Sequence, residues 1–332
     1  MTQTQIQVIR APESLRLAAA KRLVSVPERA RERAARQLLD SAPRFGIDLD
    51  LLWVSLDESR RPPRVGEVAM AVPGAGRTAM IFLSVLADRG DGRDEARRHA
   101  ERVAVVRAAL EGLARCGRDI RLAQALPEEG EAWSIRAFEE GGMRHVGELA
   151  YLQRPMRASG GVSPLLPSRW AWPEGVGVTP AGEAGEEALG VALERTYEET
   201  LDCPELCGLR EISDVLSSHR ATGVYDPARW WVVTLEGRPE GCVLMSHCPD
   251  QGALELVYVG LSPRLRGRRL GRALLERAIE ANAGCGATRV TCAVDRRNTP
   301  ALRMYDALGF SEFASRTALV CAITPGGGAA GR

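Results

Sequence analysis

The segment RLRGRRLGRALLERA, residues 264–278, sets two glycines and a run of arginines where an amphipathic helix begins. Such a junction suits an anion. The first amides of a helix have no partner inside it, and the helix dipole is positive at that end. Glycine lets the backbone come close to a phosphate. Gly267 and Gly271 fall in the loop and first turn, and Arg264, Arg266, Arg268, Arg269 and Arg272 add charge. A pyrophosphate fits this set better than a single carboxylate does. Two common nucleotide motifs are missing: GxxxxGK followed by Ser or Thr, and GxGxxG followed by an acidic ribose ligand. Elsewhere, two side chains are of types that move protons. Glu255 is a carboxylate inside an otherwise apolar strand, which is costly unless it is paired or exposed. Tyr305 carries a phenol that keeps its proton at neutral pH. Read from spacing alone, Tyr305 is also a core residue on one helical face with Ala301, Leu302 and Leu308, and Glu255 a salt-bridged or exposed strand residue. His247 and Glu198 are weaker base candidates.

The elements that must position these groups follow from the pattern. EEALGVALERTYEETL and EISDVLSSHRATG read as helices, the second capped by Ser213 or the residues before it. ARWWVVTLEGRPEGCVLMSH is a hairpin, and ALELVYVGL and ATRVTCAV are strands. NTPALRMYDALGF is a helix with Pro300 in its first turn and Gly309 as its C-terminal cap. The first half repeats this order. DLLWVSLDESRRPPRVGEVAMAV is a hairpin, RTAMIFLSVL a strand, EARRHAERVAVVRAALEGLARCG a helix, DIRLAQAL a strand, EAWSIRAFEEGGM a helix and HVGELAYLQ a strand. Leu83-Ser84 lines up with Leu261-Ser262, and Gly142-Met143 with Gly309-Phe310. An internal duplication accounts for the length of 332 residues.

Composition narrows the class. The chain is 45% hydrophobic with a net charge of +1, and its basic residues are arginine except for Lys21. A broad nucleic-acid footprint is not expected. No signal peptide is visible and no apolar run reaches membrane length, so a cytoplasmic protein without membrane contact is expected. Eight scattered cysteines without a CxxC pair, and four histidines without HExxH-like spacing, read as reduced thiols and no metal site.

The stretch from Leu254 to Phe310 resembles the core of the GNAT acyltransferase superfamily. That family carries Gln/Arg-x-x-Gly-x-Gly/Ala at the turn that holds coenzyme A pyrophosphate. Here the six residues are Arg266, Gly267, Arg268, Arg269, Leu270 and Gly271. Arg269 replaces the middle glycine, and its backbone is expected to stay in the helical region. A second signature is nearly intact in Asn298, Ala301, Tyr305, Gly309 and Phe310. The resemblance implies acetyl-CoA in a wedge between strands 254–261 and 287–294. Backbone groups of Val259, Gly260 and Leu261 then pair with the pantetheine arm, residues 266–272 hold the pyrophosphate, and Asn298 lies near the pantetheine or thiol end. It also implies an α/β (α+β) architecture of two tandem domains, each a mixed, mostly antiparallel sheet flanked by helices. The expected boundaries are 1–154 for a degenerate domain, 155–172 for a linker, 173–324 for the catalytic domain and 325–332 for a disordered tail.

Amine acetylation needs a neutral amine, and an alkyl ammonium titrates near ~10.4. Glu255, or a water, is the expected base, and Tyr305 the acid that protonates the leaving thiolate. The acidic stretch YEETLDCPELCGLREISD, residues 197–214, falls where the family covers its acceptor, and an acidic rim attracts amines. It is equally a solvated surface. In the first half Phe138 stands for Tyr305, Arg77 for Glu255, and the loop SVLADRGDGRDEARRH is acidic where a cradle should be basic. The reading is an acetyl-CoA-dependent N-acetyltransferase, acting on a small amine or a peptide N-terminus and monomeric through intramolecular domain pairing. The alternative is a non-catalytic coenzyme A sensor or scaffold, against which the presence of both Glu255 and Tyr305 argues.

Overall fold

A computed structural model describes residues 6–57, 64–85, 94–156 and 172–326. The chain forms two compact units, Met1–Val146 with Thr317–Arg332, and Gly147–Arg316. Relative to the expected division, 147–154 go with the second unit and 317–324 with the first. Most of the expected linker, and 327–332 of the expected tail, lie outside the described residues.

The first unit contains β1 (Gln7–Arg10), α1 (Glu13–Leu23), α2 (Glu28–Ser41), β2 (Leu52–Asp57), β3 (Arg64–Gly74), β4 (Thr78–Leu83), α3 (Glu95–Arg115), β5 (Leu122–Ala125) and α4 (Ala132–Glu140). Neighbours β1 to β4 are antiparallel, and β4–β5 is parallel. The free side of β5 takes Leu319–Ala322 antiparallel. One core packs Trp53, Ile81, Val106, Leu110 and Leu113 with Phe138, Leu319 and Ile323. Phe138 is thus a core residue, and Arg77 sits in the turn before β4 with φ 55°. Sequence pattern assigns nothing to β1, α1 and α2, whose short apolar stretches show no extended period.

The second unit contains β6 (Arg144–Pro155), β7 (Val176–Pro180), α5 (Ala181–Ala184), α6 (Glu186–Thr196), α7 (Ile212–Arg220), β8 (Trp230–Leu235), β9 (Arg238–Cys248), β10 (Ala253–Leu261), α8 (Leu270–Ala281), β11 (Arg289–Asp295), α9 (Thr299–Ala307) and β12 (Ser311–Ala322), whose last residues join the first unit. Its strands run in the order β6-β11-β10-β9-β8-β7. All of these pairs are antiparallel except β10–β11. β7 hides in a Pro- and Gly-rich stretch, and of the expected cap residues of α7 it is Glu211, just before Ser213, that takes the place.

Two cores flank this sheet. Leu270, Leu274, Leu275, Ala278 and Ile279 recur at helical spacing and turn one face of α8 onto Leu254, Leu256, Val290, Cys292 and Tyr305. Each such leucine or isoleucine contributes roughly 1.5–3 kcal/mol on burial. On the other face α6 and α7 bury Leu189, Leu193 and Leu216 against Trp230, Val232 and Leu244.

The same charged device occurs in each unit. In the first, Arg22 from the last turn of α1 reaches buried Glu67 of β3 at 2.9 Å, and the amide of Ser84 donates to the carbonyl of Val68 at 2.8 Å. In the second, Arg195 from the last turn of α6 reaches buried Glu240 of β9 at 3.1 Å, and the amide of Ser262 donates to the carbonyl of Glu240 at 2.7 Å. The sequence pairing of Ser84 with Ser262 therefore has a physical counterpart.

Candidate active site

β10 pairs with β11 only over Ala253–Glu255, while its pairing with β9 continues to Leu261. Among the described residues, the β11-side edge of Val257–Leu261 has no ladder partner. This is the expected wedge. A bulge between Leu256 and Tyr258 accompanies the divergence.

At the end of β10 the chain turns through Gly267, at φ 76°, and Arg269, at φ 61° and ψ 10°, into α8. Arg269 is left-handed, which corrects the expectation of a helical backbone. A Cβ in that region crowds the following carbonyl, so the family's glycine at this place has a steric reason. Among the described residues, the amides of Gly267 through Arg272 find no acceptor. These are the orphan donors of a helix start.

The arginines divide into two groups. Arg264 reaches buried Glu240 at 2.8 Å, and Arg272 pairs with Glu276 along α8 at 3.1 Å. The Arg266 guanidinium donates to three carbonyls: Leu261 at 2.9 Å, Glu199 at 3.1 Å and Thr196 at 2.9 Å. Its charge, expected on a phosphate, is spent on the C-terminal end of α6. Arg268 and Arg269 are exposed, and no ion pair holds them among the described residues.

The pantetheine-pairing residues also have other ties. The Leu261 carbonyl is taken by Arg266. A Cβ on Gly260 would sit 2.7 Å from Thr196 Cβ and 2.8 Å from the Tyr258 ring, so glycine is needed there for internal packing. Val259 pairs with Val243. Asn298 caps α9, its side chain accepting from the Ala301 amide at 3.3 Å.

Glu255 and Tyr305 stand on opposite faces of the sheet where the wedge opens. Leu254 and Leu256 face the α8 core, so Glu255 faces the α6 side. There it accepts a hydrogen bond from the Thr291 hydroxyl of β11. Burial raises its pKa, and the Thr291 bond opposes that only in part. Tyr305 is buried against Phe310, with ring centroids 5.3 Å apart, and its phenol lies beside the Cys292 thiol. Burial holds its pKa well above the ordinary phenol value. The core reading of Tyr305 is therefore correct as packing, and the same burial keeps its proton in place. Of the weaker candidates, Glu198 is paired with Arg195 at 2.9 Å, and His247 lies opposite Leu254 in the ladder.

The acidic stretch 197–214 is not a bare acidic rim. Glu205 pairs with Arg297 at 2.6 Å, and Arg297 also holds buried Asp295 at 2.7 Å. Asp295 accepts from the Cys203 amide at 3.0 Å, and its own amide donates to Asp202 at 2.9 Å. Burial favours the protonated form of Asp295, but Arg297 and the amides of Arg297 and Cys203 outweigh it and lower the pKa. Asp202, Cys203 and Asp295 lie close enough to share a cation, and Arg297 is the cation that this cluster meets. All eight cysteines are free, and no helix among the described residues is long and apolar enough to cross a membrane.

Several of these partners escape sequence reasoning. Thr291 is the exception: it alternates with Val290 and Cys292 onto the face of Glu255, a period-two signal that could have found it. Arg195–Glu240 and Arg297–Glu205 join residues distant in sequence, and nothing local marks them.

A family model described as Acetyltransferase (GNAT) family matches residues 193–310. The chain is similar to a mycothiol acetyltransferase of Kineococcus radiotolerans, at 32% identity over 216 residues, 61% of this chain and 67% of that protein. A mycothiol acetyltransferase of Beutenbergia cavernae is 29% identical over 170 residues, 44% of this chain and 56% of that protein. The matched part thus spans between about half and two thirds of these relatives' length. In fold, the chain is similar to a GCN5-related N-acetyltransferase from Sphaerobacter thermophilus, with a TM-score of 0.56 at 19% identity, covering 97% of this chain and 96% of that one.

Proposed function

The chain belongs to the acetyltransferase (GNAT) family, and from that premise we propose that its second unit moves an acetyl group from acetyl-CoA to a primary amine by direct attack. The observation that carries this reading is the row of partnerless amides from Gly267 to Arg272 beside the open edge of β10. Such amides, with Arg268 and Arg269 next to them, form a cradle for the pyrophosphate. Acetyl-CoA supplies the activated acetyl carbonyl, and this chain's residues do the rest. Glu255, or a water it orders, takes the proton that the amine must lose. Tyr305, on the opposite face, gives its proton to the departing sulfur. A carboxylate with a raised pKa is a stronger base, and a buried phenol stays protonated until it is needed. The mycothiol in the relatives' names makes amines of the mycothiol type the first acceptors to screen, ahead of other small amines and peptide N-termini.

In the first unit the loop before α3 falls largely at 86–93, outside the described residues, and the described part differs from the second unit. α3 is 21 residues long and α8 is 12, and each reaches the next strand after a short turn. α3 therefore begins nine residues further back, and amides that stay free in the second unit are bonded inside a helix in the first. Titration calorimetry with acetyl-CoA should give one site per chain. Gly271→Asp should abolish it without unfolding the protein. A Cβ at Gly271 meets only Met304 Sδ at 3.5 Å and Leu261 Cδ1 at 3.8 Å, and a carboxylate in a helix's first turn is favourable. Two sites would contradict the assignment to the second unit, and no binding would remove the cradle.

A further inference from the structure

Residues 197–207 form a strap that runs from the end of α6 to the end of β11. It contains two left-handed non-glycine residues, Glu199 at φ 52° and Cys203 at φ 44°. Such conformations persist only where surrounding contacts impose them. At the far end those contacts include the Cys203 amide on Asp295 at 3.0 Å, the Asp295 amide on Asp202 at 2.9 Å and the Glu205–Arg297 pair at 2.6 Å. At the near end Arg266 adds to the Arg195–Glu198 pair at 2.9 Å and the bond from the Thr200 amide to the Tyr197 carbonyl at 3.2 Å. Arg266 bonds the carbonyl of Thr196, the last residue of α6, and the carbonyl of Glu199 within the strap. Its third bond, to the Leu261 carbonyl, fixes the root of the anion loop, and Gly267 follows it directly.

We propose that Arg266 is a positioning residue that couples the anion loop to the strap, so that a pyrophosphate bound at Gly267–Arg272 orders residues 197–207 over the acceptor face. This rests on the reading of that loop as the acetyl-CoA cradle. The physical grounds are directional. A planar guanidinium suits a fixed set of acceptors, and a cation is favoured at the carbonyl end of a helix. Three bonds from one side chain span α6, the strap and β10, so the two loops cannot move independently while all three hold. On the sheet face below, Asp295 and Thr291 of β11 point the same way by strand alternation, and Thr291 bonds Glu255. The strap's far anchor thus lies on the same strand face as the proposed base.

The test is hydrogen exchange by mass spectrometry on the full chain, with and without acetyl-CoA, for the wild type, Arg266→Ala and Arg266→Lys. In the wild type, acetyl-CoA should slow exchange in both 264–272 and 197–207. In Arg266→Ala the first segment should remain protected, with acetyl-CoA binding within about threefold of wild type, while protection of the second falls about tenfold or more, as losing charge-assisted hydrogen bonds implies. Arg266→Lys retains the charge without the fork, so it should behave like the alanine variant, and it reports if that variant does not fold. Strap protection that survives in both variants overturns the proposal. So does acetyl-CoA binding that Arg266→Ala abolishes and Arg266→Lys restores, which would mark a phosphate ligand. If the wild type binds no acetyl-CoA, the cradle reading fails. The positioning role is then read without ligand: unchanged basal exchange of 197–207 in both variants overturns it, and about tenfold faster exchange supports it.

Discussion

Arg269 shows what a single residue can hide from a sequence. Its type and place suggest a phosphate ligand, and its left-handed backbone is an additional cost that no local pattern announces. Arg269→Gly should stabilise the protein by about 1 kcal/mol through relief of that crowding, raising Tm by about 2–4 °C for a unit of this size. An unchanged or lower Tm in a thermal melt would show that the turn carries no strain. Glu255 presents the opposite case. Its oddity inside an apolar strand is legible, but its hydrogen bond to Thr291 depends on which strands pair. Burial raises the Glu255 pKa, so below that raised value the carboxyl is protonated and cannot accept the amine's proton. Activity should therefore fall on the acid side at a pH above the usual carboxylate range. Thr291→Val removes the bond that opposes burial, and should move this limb upward by about one pH unit or less. Glu255→Gln should remove the limb. Profiles of kcat/KM against pH with one fixed amine decide the matter, and identical wild-type and Thr291→Val profiles would exclude Glu255 as the titrating base.

At the level of elements, the hairpins and the α8 and α9 helices are readable because their apolar periods and turn residues agree with one another. Pro300 sits in the first turn of α9 and Gly309, at φ 79°, follows its end, as the sequence suggests. The boundaries of α3 are harder, and α3 is 21 residues long where α8 is 12. Its amphipathic pattern continues smoothly through Glu95–Val103, so nothing in composition says that those turns take the place of a loop. The acidic loop that first suggested a lost cradle falls largely at 86–93, outside the described residues. Arg102 supplies a separate feature of this region. Its fully buried guanidinium lies 4.5 Å over the Trp133 ring and 2.8 Å from Glu95. The loop before α8 holds the exposed Arg268 and Arg269; here the first unit holds a buried cation inside its own packing.

On the scale of the molecule, the internal duplication is visible in the order of elements, while the unit boundaries are not. Contiguous segments are the default reading of a sequence, and here the first unit is completed by residues from the far end of the chain. Leu319 and Ile323 are buried in its core beside Leu110 and Leu113. A chain ending at Arg316 loses both. Deleting buried aliphatic side chains costs about 2–5 kcal/mol each, against a typical total stability of about 5–15 kcal/mol. In that truncated chain, hydrogen exchange should find α3 unprotected and α8 still protected; an α3 that stays protected would show that the first unit stands without its last strand. The same interleaving sets an order for synthesis on the ribosome. Ala125 pairs with Leu319, which leaves the ribosome roughly 190 residues later, a delay of roughly ten to forty seconds at ordinary elongation rates. Throughout that interval the earliest part of the chain waits with β5 as an open edge, a template for any neighbouring strand. The part made first is therefore the part finished last, and nascent chains are most exposed to mispairing with one another while the second unit is still being made.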